Sequence, residues 1–317
     1  MKKYFLAAFV CVNLLSGLTF NAIAAQSEQN WEFKLDSKYF FASHTSYQFG
    51  NPYIGSDMPL SRLEFPINNL WMGAGLRRNF ARYSIGINAL SSAMRNTRGR
   101  MKDSDWENTD DLSERTIFST SANRMNYGII AGGDVDLKVS DWLNFAPSLD
   151  IRPLVGFQWQ KFSFTVHDGV QHYYSPSAPD DPLPGNLLDF EQVYWQYFAG
   201  FRSSWDMGRP FKLPPLKLLT EFHGGYVTGY NKDHHLLKGD RYTFETTDGY
   251  CFYASLGLEA QLTKNISLGT GIDYLMIRTT GKHNWRYNAV GVDSIWNNGV
   301  KVYSDQIGIN LNLTYRF

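Results

Sequence analysis

Two short polar clusters carry residue types that can act together on a bond. The first is Asp103-Ser104-Asp105-Trp106 and the second is Asp233-His234-His235. On an extended segment, residues i and i+2 point to the same side. Asp103 with Asp105 is therefore a candidate carboxylate pair, and Asp233 with His235 a candidate carboxylate–imidazole pair. A neutral imidazole can take a proton from water while a carboxylate orients it and stabilises the imidazolium. Two neighbouring carboxylates raise one pKa, so one of them can hold a proton for a developing oxyanion. The plainer alternative is that acidic loop residues only solvate the loop or collect divalent ions. A calcium loop starting at Asp103 fails, because Glu107 is followed by Asn108 where glycine is required. His234 and His235 lack a third ligand at a zinc spacing. His223 falls mid-strand and reads as lumen-facing, whereas His44, His167, His172 and His283 fall at strand ends or in loops and show no pattern. There is no G-x-S-x-G, P-loop or H-E-x-x-H motif.

The elements that must position these clusters are strands. At the C-terminus, Tyr303, Ile307, Ile309, Leu311, Leu313, Tyr315 and Phe317 alternate with Val302, Ser304, Gln306, Gly308, Asn310, Asn312, Thr314 and Arg316. A period of two with an apolar, aromatic face suits a lipid-facing strand. A terminal aromatic on such a strand resembles the signal read by the barrel-assembly machinery. Weaker alternation places further strands near 29–44, 61–76, 81–96, 123–139, 143–166, 190–206, 215–230, 241–262 and 266–282, with the last at 302–317. The fold expected is all-β: a closed antiparallel transmembrane β-barrel of about ten strands. Short turns at 77–80, 140–142, 207–214 and 263–265 alternate with long polar loops at 45–60, 97–122, 167–189, 231–240 and 283–301. That parity puts the long loops, and both clusters, on the cell exterior. Strands three and seven then bring the clusters face to face across the mouth. Several strands exceed the roughly 9–11 residues that cross hydrocarbon, so the barrel is expected to extend above the outer membrane.

Composition agrees. Aromatic residues make up 16% of the 317-residue chain and charged residues only 19%. Lys2 and Lys3, the apolar stretch 5–18 and Ala22-Ile23-Ala24 read as a signal peptide over 1–24, leaving a barrel over 25–317. Losing two lysines from a chain with 30 basic and 30 acidic residues leaves a slight acidic excess, which offers nothing to nucleic acid. Cys11 departs with the leader and Cys251 remains alone, so no internal disulfide is expected.

Together, these residues resemble the omptin family of outer-membrane aspartyl-type endopeptidases. The resemblance is best over 61–108, 126–137 (NYGIIAGGDVDL), 156–165 (GFQWQKFSFT) and 225–235 (GYVTGYNKDHH). The family's D-x-D-W matches Asp103, Asp105 and Trp106, and its D-x-H matches Asp233 and His235. The resemblance implies a ten-stranded barrel. It implies that Asp233 and His235 activate a water while Asp103 and Asp105 complete the site, with polypeptides at the cell surface as substrates. No cofactor or metal is expected, and the resemblance implies a requirement for lipopolysaccharide held on the outer wall.

Two departures bear on specificity and activation. The family recognises a basic side chain through two acids near the mouth, and a gap-free match puts Gln48 and Asn231 there. An amide supplies no charge to select arginine or lysine, so an altered preference for basic sites is expected. Of the family's basic lipopolysaccharide-binding positions, one matches Lys161 and another falls near Val193, which cannot hold phosphate. The competing readings are a non-catalytic barrel, adhesin or porin-like, and an outer-membrane lipid hydrolase. Retention of all four acid and histidine positions weighs against the first. The want of a serine in a nucleophile context weighs against the second.

Overall fold

The computed structural model describes residues 30–51, 56–108, 110–111, 113–143, 145–174, 178–208, 214–238 and 240–317. The leader expected over 1–24 lies outside the described residues. Twelve strands form one antiparallel sheet: β1 (Trp31–Asn51), β2 (Ser56–Pro66), β3 (Leu70–Asn79), β4 (Tyr83–Ser92), β5 (Met101–Asp105), β6 (Ile117–Leu137), β7 (Leu149–Tyr173), β8 (Asp181–Gly208), β9 (Leu216–His235), β10 (Arg241–Gln261), β11 (Ile266–Tyr287) and β12 (Val292–Arg316). The sheet closes where β1 pairs with β12, from Glu32 opposite Arg316 to Phe49 opposite Val300. β2 and β3 are two parts of one broken strand, as are β4 and β5. The lower part of β1 pairs β3 and its upper part pairs β2, while β6 pairs β4 below and β5 above. Ten strands therefore circle the barrel at either level, as expected from the alternation.

The lower half follows from period-two patterning in lipid. Leu35, Ile87, Val155, Phe201, Phe222, Leu256, Ile272 and Leu311 are exposed on the outer surface. Such a belt would be costly in water and suits a hydrocarbon surround. Alternate residues point into the lumen and neutralise one another there. Arg77 meets Asp134 and Asp136 at 2.6 Å, Arg202 meets Glu221 at 2.8 Å, and Lys38 meets Asp273 at 2.6 Å. These groups border a cavity of about 570 Å³.

Halfway up, the lumen is filled. Phe40, Trp71, Phe162, Phe164, Phe65, Phe190 and Tyr47 are all buried. Phe40 and Trp71 meet edge to face at 5.5 Å, and Phe65 stacks on Phe190 at 4.2 Å. Gly128 makes room for this layer, since a Cβ there would lie 2.3 Å from the Trp71 ring. This aromatic floor separates the charged lower cavity from the mouth above.

The upper half corrects the expected loops. Most of 45–60, 167–189 and 283–301 is strand, and strand also enters 97–122 as β5 and the start of β6 and 231–240 as the end of β9: β7 runs on to Tyr173, β8 starts at Asp181, β11 reaches Tyr287 and β12 starts at Val292. The long-and-short parity thus reflects strands that continue upward, not long loops. Above the bilayer neither face must be apolar, so the alternation that marks a strand fades from the sequence. The fifth expected strand also starts later, at Leu149 rather than 143. One irregularity governs the site. Between Phe41 and His44 the β1–β12 register shifts, and Ala42 adopts φ 48°. The extra residue of this bulge reverses which residues of β1 face inward. Below it Lys34, Asp36, Lys38 and Phe40 line the lumen. Above it Tyr47 faces inward, buried opposite Leu63 and Val302.

Candidate active site

Asp233 and His235 occupy the last turns of the ladder on β9 and share its inner face. Asp233 stands opposite Phe190 on β8 and Thr243 on β10, while His235 stands opposite Leu188 and Arg241. Asp233 is fully buried, and its Oδ2 lies 3.2 Å from His235 Nε2. The Tyr47 hydroxyl, reaching across from β1, donates to the same Oδ2. Arg241 Nη2 lies 2.8 Å from His235 Nε2. A guanidinium only donates, so the two neighbours favour different tautomers: a proton on Nε2 serves Asp233, and a proton on Nδ1 leaves Nε2 to accept from Arg241. Burial pushes the imidazole pKa below its ordinary value of 6.5. The Asp233 carboxylate opposes that fall, and the charges of Arg241 and Lys238 add to it.

Asp103 and Asp105 lie on β5, facing inward opposite Leu63 and Ser61 of β2 and opposite Ser119 and Ile117 of β6. They sit on a strand, not at the start of a loop. The Ser61 hydroxyl donates to Asp103 Oδ1 at 3.4 Å. Burial holds Asp103 well above the usual carboxylate range, and the charges of Asp105 and Asp233 push it further the same way. Burial also raises Asp105, against the Ser61 hydroxyl and the positive charges of Lys238, Arg241 and His235. Each aspartate thus feels a member of the β9 pair. The four residues singled out from spacing alone meet across one mouth.

The two specificity positions divide. Gln48 is not part of the mouth, contrary to the expectation. It stands opposite Lys301 and Arg62, and its Oε1 accepts from Arg62 Nε at 3.1 Å, Arg62 Nη2 at 2.8 Å and the Tyr303 hydroxyl at 3.3 Å. The bulge at 41–44 is the reason: it puts Tyr47, one residue earlier, on the inner face. Asn231 does lie inside, two residues below Asp233 and level with Gln192 and Glu245. Among the described residues, neither amide atom of Asn231 has a hydrogen-bond partner.

Four residues of this region were missed: Tyr47, Arg241, Glu245 and His283. Glu245 and His283 are buried neighbours on β10 and β11, with Glu245 Oε1 2.9 Å from His283 Nδ1. The His283 ring lies between Phe49 at 4.8 Å and Trp296 at 5.6 Å. Burial raises the Glu245 carboxyl, with His283 opposing. The available signal was register. Counting symmetrically about residue 238 pairs Asn231 with Glu245, and the alternation Thr243, Glu245, Thr247 puts all three on one face.

On the outer wall, Lys161 stands beside Val193 on the neighbouring strand. Its Nζ is 3.5 Å from Glu191 and 5.3 Å above the Tyr127 ring, and the Tyr127 hydroxyl donates to Glu191 at 3.1 Å.

A closed antiparallel sheet with an apolar outer belt, a charged lumen and polar strand tops is an outer-membrane β-barrel. The family model described as the omptin family matches residues 55–317, and the chain belongs to that family. It is 23% identical over 199 residues to Protease 7 of Escherichia coli strain K12, and equally to Protease 7 of Escherichia coli O157:H7. That match spans 59% of this chain and 58% of the relative. The crystal structure of the outer membrane protease OmpT from Escherichia coli superposes with a TM-score of 0.80 at 15% identity, covering 95% of this chain and 99% of that one, so the fold is shared.

Proposed function

We propose that the chain is a cell-surface endopeptidase of the aspartyl type described for its family, with the site at the strand tips facing the exterior. His235 takes a proton from a water that attacks the peptide carbonyl, and Asp233 orients and stabilises the resulting imidazolium. The proton shared by Asp103 and Asp105 passes to the carbonyl oxygen as the tetrahedral intermediate forms. Collapse returns that proton to the pair, and the imidazolium protonates the leaving amine. The observation that carries this reading is the meeting of Asp103, Asp105, Asp233 and His235 across one mouth. Peptide digestion by folded protein tests it: Asp103→Ala should lower the rate by at least about hundredfold, whereas undiminished digestion would remove Asp103 from the site.

The aromatic floor favours an enzyme over a porin-like channel, because stacked buried rings occupy the lumen between the lower cavity and the mouth. Specificity is altered from the family's basic preference, since Asn231 is neutral and Tyr47 takes the inward place that Gln48 was expected to hold. Lipopolysaccharide is proposed as an activator bound near Lys161, one phosphate being enough for a single lysine. Adding it to purified protein should raise the rate, and Lys161→Ala should blunt that response.

A further inference from the structure

The space beneath the Asp233–His235 pair is already taken. Tyr47 reaches in from β1, puts its hydroxyl on Asp233 and stacks its ring on Phe190 at 5.5 Å and 18°. Phe49 lies beside it at 6.1 Å. Tyr47, Asp233, Asn231, Gln192 and Glu245 are all 0% exposed. A substrate side chain therefore cannot descend below the dyad unless Tyr47 leaves. Under the phenol lies a row that is polar and incompletely satisfied. Asn231 faces Gln192 on one side and Glu245 on the other. Among the described residues, Glu245 Oε2, Gln192 Nε2 and both amide atoms of Asn231 lack partners. Unmet polar groups in such a place are costly, and a covering ring keeps them from substrate.

We propose that Tyr47 fills the subsite beneath Asp233 and His235, so that the residue flanking the cleaved bond must be small (glycine, alanine or serine), and that truncating Tyr47 uncovers an anionic pocket floored by Glu245. This rests on the endopeptidase reading and deepens it. The ring acts by volume: a filled pocket refuses long side chains whatever their charge. Once opened, the buried carboxylate of Glu245 and the Asn231 carbonyl would accept the N–H groups of a guanidinium.

The test compares matched peptides that differ only at the residues flanking the scissile bond, alanine against arginine, as rate ratios within each variant. The wild-type chain should favour alanine by at least about tenfold. Tyr47→Phe should keep that preference. Tyr47→Ala, or Tyr47→Leu should the alanine variant not fold, should shift the ratio toward arginine by at least about tenfold, and adding Glu245→Gln should cancel the shift. A wild-type preference for arginine, or an unchanged ratio in a folded Tyr47→Ala protein, overturns the proposal. If no variant cleaves any peptide, the endopeptidase reading fails by itself, and calorimetry with agmatine as a guanidinium probe then decides the pocket. Binding to Tyr47→Ala but not to wild type, lost again on Glu245→Gln, supports it. Equal binding or none in both overturns it.

Discussion

At the scale of single residues, His235 is the most informative titrating group. Burial and the neighbouring Arg241 hold its pKa below 6.5, so the neutral, proton-accepting form persists to lower pH than in a free imidazole. Activity should then be present above that lowered pKa and lost as pH falls through it, placing the acidic limb of kcat/KM below pH 6.5. Arg241→Gln removes a positive charge beside the ring and should move that limb upward. A pH–rate profile of both proteins checks this, and an unmoved limb would detach Arg241 from the imidazole. On the proposed mechanism the opposite limb would belong to Asp103 and Asp105, a pair whose titration burial raises. Their shared proton is lost as pH rises through the raised pKa. These four residues were legible in the sequence because i and i+2 on an extended chain need no tertiary information. Glu245 and His283 were not, since their partnership is made across strands and neither stands in a motif.

At the scale of elements, the bulge on β1 decides what the mouth contains. One residue added near Ala42 turns Tyr47 inward and Gln48 outward, which an alternation counted along the sequence does not register. The strands themselves are legible only where lipid imposes alternation: the pattern marks 266–282 of β11 and 302–316 of β12, and fades over 283–287 and 292–301. Ala42 sits at φ 48°, where a side chain is strained and a β-branched one more so. Ala42→Gly should be tolerated, while Ala42→Val should destabilise the barrel by about 1–2 kcal/mol. Urea unfolding of the detergent-solubilised protein measures both. Equal stability of the valine variant would mean that the bulge carries no strain.

For the whole molecule, the lumen divides into a charged cavity below and a mouth above, with the aromatic layer between them. Ion conductance across a planar bilayer should therefore be absent for the wild-type chain and should appear when the layer is thinned by the double change Trp71→Ala and Phe162→Ala. Steady conductance of the wild-type barrel would restore the porin-like reading. In the lower cavity, Arg202 contacts Asp136 at 2.9 Å, Asp134 at 3.2 Å and Glu221 at 2.8 Å. Arg202→Met leaves these acids short of a counter-charge and should cost about 3 kcal/mol, read from the same urea curves. The closed barrel and its strand count were legible from composition and patterning, whereas the filled lumen was not, because inward aromatics and outward lipid-facing ones look alike in a sequence.

Asp103, Asp105, Asp233 and His235 are proposed to form one peptide-hydrolysing site. The most direct measurement is the rate of peptide cleavage by folded protein, with lipopolysaccharide present, for the wild type and for Asp103→Asn, Asp233→Asn and His235→Asn. The expected result is cleavage by the wild type and a loss of at least about hundredfold in each variant with the barrel intact. Cleavage that survives all three changes, or a folded wild type that cleaves nothing, would remove peptide hydrolysis from this mouth.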